Sequence, residues 1–234
     1  MIRTFKALSA LLSYPSADLQ EAVPAIRSVL QAETVLSTPQ KAALEPLLQH
    51  LAGGDLFDLQ EDYVLLFDRS RTLSLNLFEH IHGESRDRGG AMVDLLETYR
   101  AGGFDLVGPE LPDHLPVLLE FLSTRPLPAA QEILADAGPI LAALATRLSR
   151  RETPYAAVLN TLAALGAGAD SEGVAAALVA QPDDNPEDLE ALDAVWEEAE
   201  VTFAPDPNAG CPISRDILAK MTAPLSPAQA AAAK

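Results

Sequence analysis

The chain has 234 residues, with 34 Asp and Glu against 16 Lys and Arg, for a formal net charge of −18. That balance argues against nucleic acid as a partner, because affinity there rests on neutralising phosphates, and against an anionic membrane surface. The length suits one large domain, or a domain with an appendage, able to bury about 70% of its unfolded surface without disulfide or metal staples.

Alanine and leucine dominate an apolar content of 48%, and β-branched runs are scarce, which favours helix. Residues 1–15 hold only a short, serine-interrupted apolar stretch, Ala7–Leu12, too short to read as a signal peptide. No run approaches the roughly 20 apolar residues that span a bilayer. A single cysteine, Cys211, precludes an internal disulfide and fits a reducing compartment. The expectation is a soluble, cytoplasmic protein.

Helical periodicity recurs along most of the chain. Phe5, Leu8, Leu11 and Leu12 form the first stripe, and Leu56, Leu59, Tyr63, Leu66 and Phe67 another. Met92, Leu95, Leu96 and Tyr99 follow i, i+3, i+4, i+7, as do Leu115, Leu118, Leu119 and Leu122. The longest stripe runs Ile133, Leu134, Ala137, Ile140, Leu141, Leu144 and Leu148, and the last Leu189, Leu192, Val195, Trp196 and Ala199. No segment alternates with a period of two, so the predicted fold is all-α, a single-domain multi-helix bundle.

The breaks fall at Pro15 and Ser16, at Ser37, Thr38 and Pro39, and at Gly53, Gly54 and Asp55. Gly102 and Gly103 end the Met92 helix, with a glycine in the left-handed cap position. Asp113 is the predicted N-cap of the Leu115 helix, with Pro116 in its first turn. Residues 166–170 and 181–185 read as loops, and Pro186 opens an acidic helix whose early carboxylates suit its positive end. The helical domain is predicted over 1–203. Residues 204–234, rich in Pro and Ala, read as a largely flexible tail with a short helix near 213–221.

Chemistry concentrates between Tyr63 and Pro116, which hold His80, His82 and His114 and five of the arginines. No nucleophile elbow, phosphate-binding loop, dinucleotide fingerprint, zinc-protease helix or C-x-x-C pair is present. Glu79, His80, His82, Glu84 and His114 are all metal-ligand types, which leaves a metal-dependent enzyme using His80, His82 and His114 as the alternative function. His80 and His82, however, point about 200° apart on one helix; the plainer reading is that these histidines hydrogen-bond loop backbone or carboxylates. Arg69, Arg71, Arg86 and Arg88 pair internally with Asp68, Glu84 and Asp87, or contact a phosphorylated cofactor or an acidic partner segment. Tyr63, Phe67, Leu77, Phe78, Met92, Leu95, Tyr99, Leu115, Leu119 and Phe121 are mostly core, with some left to line a groove for a partner's amphipathic helix. An acidic field attracts basic partners such as an Arg-bearing tail, or it only keeps the chain soluble.

Three segments carry a resemblance: LFEHIHGESRDRGGAMVDLL from Leu77, ELPDHLPVLLEFL from Glu110 and LDAVWEEAEVTF from Leu192. In order and content they resemble the NarJ family, the assembly chaperones (δ subunits) of respiratory nitrate reductase, within the wider TorD/DmsD-like class of redox-enzyme maturation chaperones. The resemblance spans roughly residues 1–203 and implies an all-helical, cytoplasmic, non-catalytic protein that is not integral to the membrane. The implied client is the apo α subunit of nitrate reductase, bound through its N-terminal tail, a relic of a twin-arginine signal, and through a second region. The chaperone would hold that subunit open for insertion of the molybdenum bis(guanine dinucleotide) cofactor and delay membrane docking. It would keep no cofactor itself, and proteins of molybdenum cofactor biosynthesis are further implied partners.

On that resemblance the tail is expected in an apolar groove formed by Tyr63, Phe67, Leu77, Phe78, Met92, Leu95, Leu115 and Leu119. Asp62, Glu79, Asp113 and Glu120 are expected to fix its basic end. His80, His82, Glu84, Arg86, Asp87, Arg88 and His114 are expected to order the adjoining loops or to contact client or cofactor.

Overall fold

Three polar residues start the early helices by accepting backbone N–H groups that have no partner inside the helix. The Ser16 hydroxyl accepts from Leu19 N at 3.1 Å and opens α2 (Ala17–Ala32). Ser37 forms a reciprocal capping box with Gln40 and opens α3 (Thr38–Gly53). The Asp55 carboxylate accepts from Phe57 N at 2.9 Å and opens α4 (Leu56–Tyr63). These are the breaks expected from the sequence. The helix that precedes them, α1 (Arg3–Leu11), buries Phe5, Leu8 and Leu11 completely.

The structure, a computed structural model, describes residues 3–82, 86–166 and 172–180; the side chains of residues 82, 86, 87 and 172–174 are not among those described. After α4 the chain continues as a π-helical turn, Val64–Asp68, closed by Arg69 N on Val64 O at 2.9 Å. A 3₁₀ turn (Arg71–Leu73) and the short α5 (Glu79–His82) lead to α6 (Arg86–Ala101). Then come α7 (Leu115–Ser123), α8 (Leu127–Asp136), α9 (Gly138–Arg150), α10 (Ala156–Leu165) and α11 (Glu172–Val179). Among the described residues the fold is all-α, and its one departure from helix is an isolated antiparallel bridge between Asn76 and His114. No helix among them is long and apolar enough to cross a membrane.

By contacts the chain divides into residues 1–187 and 188–234. All described residues belong to the first unit. The boundary expected after residue 203, the Trp196 helix, the 213–221 helix and the tail lie outside the described residues.

Helix α1 packs against α7 and α2, α2 against α3, α3 against α10, α10 against α9, and α9 against α11. The apolar stripes of the described helices meet in one continuous core. Two aromatic clusters lie within it. Tyr63, Phe67 and Tyr155 stack with ring centroids 4.9–6.2 Å apart, and Tyr99, Phe104 and Phe121 with centroids 4.7–5.9 Å apart.

Two local expectations are corrected. The stripe from Ile133 to Leu148 is continuous in pattern but is cut at Ala137 into α8 and α9. Pro139 has no N–H to carry a ladder onward, and it fits only the first turn of a new helix. Asp113 is not the cap of α7: His114 holds the N-cap position without a side-chain bond, while Pro116 does occupy the first turn. At the end of α6, Gly103 takes a left-handed φ of +74°, and Phe104 N reaches back to Tyr99 O at 2.9 Å, the glycine stop expected there.

Gly166 closes α10 where it crosses α8, and a Cβ there would lie 2.7 Å from the Leu134 carbonyl oxygen. Gly166→Ala is expected to cost roughly 1–3 kcal/mol, as overpacking does. Gly53→Ala, with nothing within 4 Å of the added carbon, is expected to be neutral or to stabilise by up to about 1 kcal/mol. Urea denaturation of the two variants measures both.

Candidate functional site

The two segments that carry the motifs lie side by side. Leu77 N donates to Asp113 O at 3.0 Å and Leu115 N to Leu75 O at 2.8 Å, a two-bond ladder around the Asn76–His114 bridge. Asp113, with no solvent exposure, sends its Oδ2 across the ladder to accept from Phe78 N at 3.1 Å. Arg88 Nη2 approaches the same oxygen at 3.7 Å from the first turn of α6. Burial raises the Asp113 pKa above its usual 3.8, with the Phe78 bond and the Arg88 charge acting in the opposite direction. Tyr99 adds a buried bond from its hydroxyl to Pro112 O at 2.7 Å.

The 74–82 segment is held by its own polar groups. Ser74 donates to Glu79 Oε2 at 2.7 Å, and Arg71 lies 4.0 Å from Glu79. His80 Nε2 is 2.8 Å from Ser74 O; a carbonyl only accepts, so this nitrogen carries the proton. Among the described residues no three His, Cys, Asp or Glu side chains are grouped to hold a metal ion. The partners seen for Arg71 and Arg88 are thus Glu79 and Asp113. Glu84 and the side chains of His82, Arg86 and Asp87 lie outside the described set.

Beside this ladder opens a cleft of about 520 Å³. Helix α1 contributes Ser9, and the turn after it Ser13 and Tyr14. The α4 and π-turn segment contributes Tyr63 and Asp68; the loop before α7 gives Glu110 and His114; α7 gives Pro116, Val117 and Glu120. Ser9 donates to Pro116 O at 2.7 Å, and the Tyr63 hydroxyl donates to Leu12 O at 2.9 Å, which fixes three walls to one another. Three carboxylates therefore face a cleft whose one basic group is His114. Burial lowers the His114 pKa below 6.5 against the pull of Glu110, Asp113 and Asp68, so the ring is neutral at pH 7. Its Nδ1 stands 3.6 Å from Glu110 and has no hydrogen-bond partner among the described residues. Burial likewise raises the Asp68 pKa, with His114 opposing.

A second groove, of about 710 Å³, lies along the other side of the same π-turn. It is lined by Pro46, His50, Asp62, Leu65, Leu66 and residues 151–155. Asp62 is here, with its Oδ2 3.7 Å from His50 Nε2.

The expected groove residues are therefore dispersed. Tyr63, Phe67, Leu77, Leu115 and Leu119 are core residues, at most 4% exposed; of these only Tyr63 reaches the cleft wall. Phe78, Met92 and Leu95 are half-buried, outside the cleft lining. Of the acids expected to hold a basic end, Glu120 lines the cleft, Asp62 lines the second groove, Glu79 holds Ser74, and Asp113 is internal. The residues not anticipated are Asp68, Glu110, Ser9, Ser13, Tyr14, Pro116 and Val117. Glu110 lies within the ELPDHLP motif, and Asp68 enters the sequence reading only as a pairing partner of the nearby arginines.

Two predictions follow from this geometry. A histidine whose folded pKa is depressed binds protons better when unfolded, so its contribution is present above pH 6.5 and lost as pH falls below that value. The His114 contribution is therefore expected to fall as pH drops below 6.5, and His114→Gln should flatten that component of the profile, as read from urea midpoints. Asp113→Ala leaves Phe78 N without its acceptor and Arg88 without its neighbour, and should cost about 1–3 kcal/mol. Asp113→Asn keeps the acceptor and should cost less.

Comparison with known proteins places this chain in a family. Residues 16–161 match the family described as nitrate reductase delta subunit. The chain is 45% identical over 205 residues to the nitrate reductase molybdenum cofactor assembly chaperone NarJ of Escherichia coli (strain K12), covering 87% of this chain and 86% of the relative. It is 38% identical over 211 residues to the probable nitrate reductase molybdenum cofactor assembly chaperone NarW of the same strain, covering 90% and 87%. It is 31% identical over 164 residues to the probable nitrate reductase molybdenum cofactor assembly chaperone NarJ of Bacillus subtilis (strain 168), covering 69% and 86%. With the matched region spanning the caps, the motif ladder and the cleft walls from Tyr63 to Glu120, the chain belongs to the nitrate reductase delta subunit family.

Proposed function

We propose that this chain is a dedicated chaperone of nitrate reductase assembly that captures the N-terminal tail of the apo α subunit. It keeps that subunit open for insertion of the molybdenum bis(guanine dinucleotide) cofactor and delays its docking at the membrane until loading is complete. The observation that carries this reading is the acidic cleft: Asp68, Glu110 and Glu120 around a neutral His114, beside Tyr14, Tyr63, Pro116 and Val117. A basic, partly apolar peptide is the ligand such a lining favours. Carboxylates whose charged form is penalised by burial gain most from an incoming cation.

The tail's basic groups meet the three acids, and its apolar side chains lie along the tyrosines and the first turn of α7. In this reading the acids at the basic end are Asp68, Glu110 and Glu120 in place of the expected Asp62, Glu79, Asp113 and Glu120, and the apolar part of the groove is smaller. The chaperone works without chemistry of its own, in the cytoplasm. It acts by binding the open apo client better than the loaded one, since only differential affinity shifts a conformational equilibrium. The molybdenum cofactor is cargo for the client, and a second client region and cofactor-biosynthesis proteins complete the set of partners.

Calorimetric titration tests the capture step. A peptide of about 15 residues from the start of the α subunit, long enough for several helical anchors, should bind saturably with negative ΔCp, and a scrambled peptide should not. Asp68→Asn and Glu110→Gln should each weaken binding about 3- to 10-fold, or about 0.7–1.4 kcal/mol, and Asp62→Asn in the other groove should not. Equal behaviour of native and scrambled peptides would remove tail capture from the mechanism.

A further inference from the structure

The three cleft carboxylates differ in what already faces them. Glu110 stands 3.6 Å from His114 Nδ1. Asp68 makes no ion pair among the described residues. Glu120 is bound to a cation of the chain itself, the Nζ of Lys6. Lys6 lies on α1 one turn before Ser9, whose hydroxyl is fixed to Pro116 O at 2.7 Å, so the α1 face that bears Lys6 is held against α7. Both members of the pair are partly open to solvent, at 55% and 44% exposure. Such pairs are weak and are screened by salt, and the flexible lysine stem lets the ammonium leave without moving the helix.

We propose that Lys6 is a built-in stand-in for a basic side chain of the ligand. It occupies Glu120 while the cleft is empty and gives that carboxylate up when a ligand cation arrives. Lys6 is thus a specificity-determining residue: it neutralises one of three acids in advance and so sets how much positive charge a peptide must bring to bind well. A peptide with one or two basic residues uses the two open acids, Asp68 and Glu110, and leaves Lys6 in place. A peptide with more must displace it, and part of its electrostatic gain is offset by breaking the internal pair. This inference rests on the reading of the cleft as a site for a basic peptide.

The experiment is titration of the full-length protein with the α-subunit tail peptide and with a copy whose basic residues are replaced by glutamine. Lys6→Met, which keeps the stem and removes the charge, should tighten binding of the native tail about two- to fivefold at low salt, the range that exposed ion pairs span. The gain should fade as salt rises and be absent with the neutralised peptide. Lys6→Arg should behave as the unmodified protein. Lys41→Met, which removes an equal charge from a lysine bonded to Gln31 O at 2.8 Å on another helix, should give less than half the gain. In a Glu120→Gln background, Lys6→Met should give none, because the acid it frees is gone. A gain of affinity cannot come from misfolding, so the expected direction is its own control. Unchanged or weaker binding by Lys6→Met, or an equal gain in the Glu120→Gln background, overturns the stand-in while leaving the cleft reading intact. Failure of every form to bind the tail overturns both.

Discussion

The site depends on a buried carboxylate that crosses between two loops. Asp113 has no exposure, yet it accepts a hydrogen bond from Phe78 N and lies beside Arg88. Taking a carboxylate out of water is costly unless donors meet it, so the 77–78 backbone must lie where it does whenever Asp113 is ionised. The flanking bonds Leu77 N to Asp113 O and Leu115 N to Leu75 O complete the constraint. They tie the approach to α5 to the entry of α7. Glu110 and His114, which stand in the cleft, leave from the same short segment.

The cleft is electrostatic in character because the packing around it uses up the apolar groups. Tyr63, Phe67, Leu115 and Leu119 fill the core, and what remains at the surface between α1, the π-turn and α7 is mainly hydroxyl, carboxylate and imidazole, with Pro116 and Val117 as its apolar part. In a chain of net charge −18, such a recess concentrates a negative field and draws basic ligands to it. The same packing depresses the His114 pKa, so the one basic ring of the lining does not cancel the acids at neutral pH.

The π-turn at Val64–Asp68 is the structural hinge of this arrangement in the geometric sense. Its wider winding places Asp68 in the acidic cleft while Leu65 and Leu66 line the groove behind it. π-turns are rare and recur at functional sites. Here one serves as the common wall of two recesses and is anchored from inside by Tyr63, Phe67 and Tyr155.

Sequence alone determined the helical class, the breaks at Ser16, Ser37 and Asp55, and the glycine stop after α6, because these are local: periodicity, helix-breaking residues and a left-handed φ are set within a few residues. It also pointed to the stretch from Tyr63 to Pro116, and the motifs there named the family. The stripe from Ile133 to Leu148 hid a break, since an apolar pattern continues across a corner that only backbone hydrogen bonding reveals. Which acids face solvent was decided by the tertiary structure. Asp113 and Glu110 stand three residues apart in one motif, yet the first is internal and the second lines the cleft, because loop pairing turns one inward. Asp68 reaches the site through a π-turn that the stripe through Leu66 and Phe67 does not distinguish from ordinary helix, and Lys6 reaches Glu120 across 114 residues through the packing of α1 on α7.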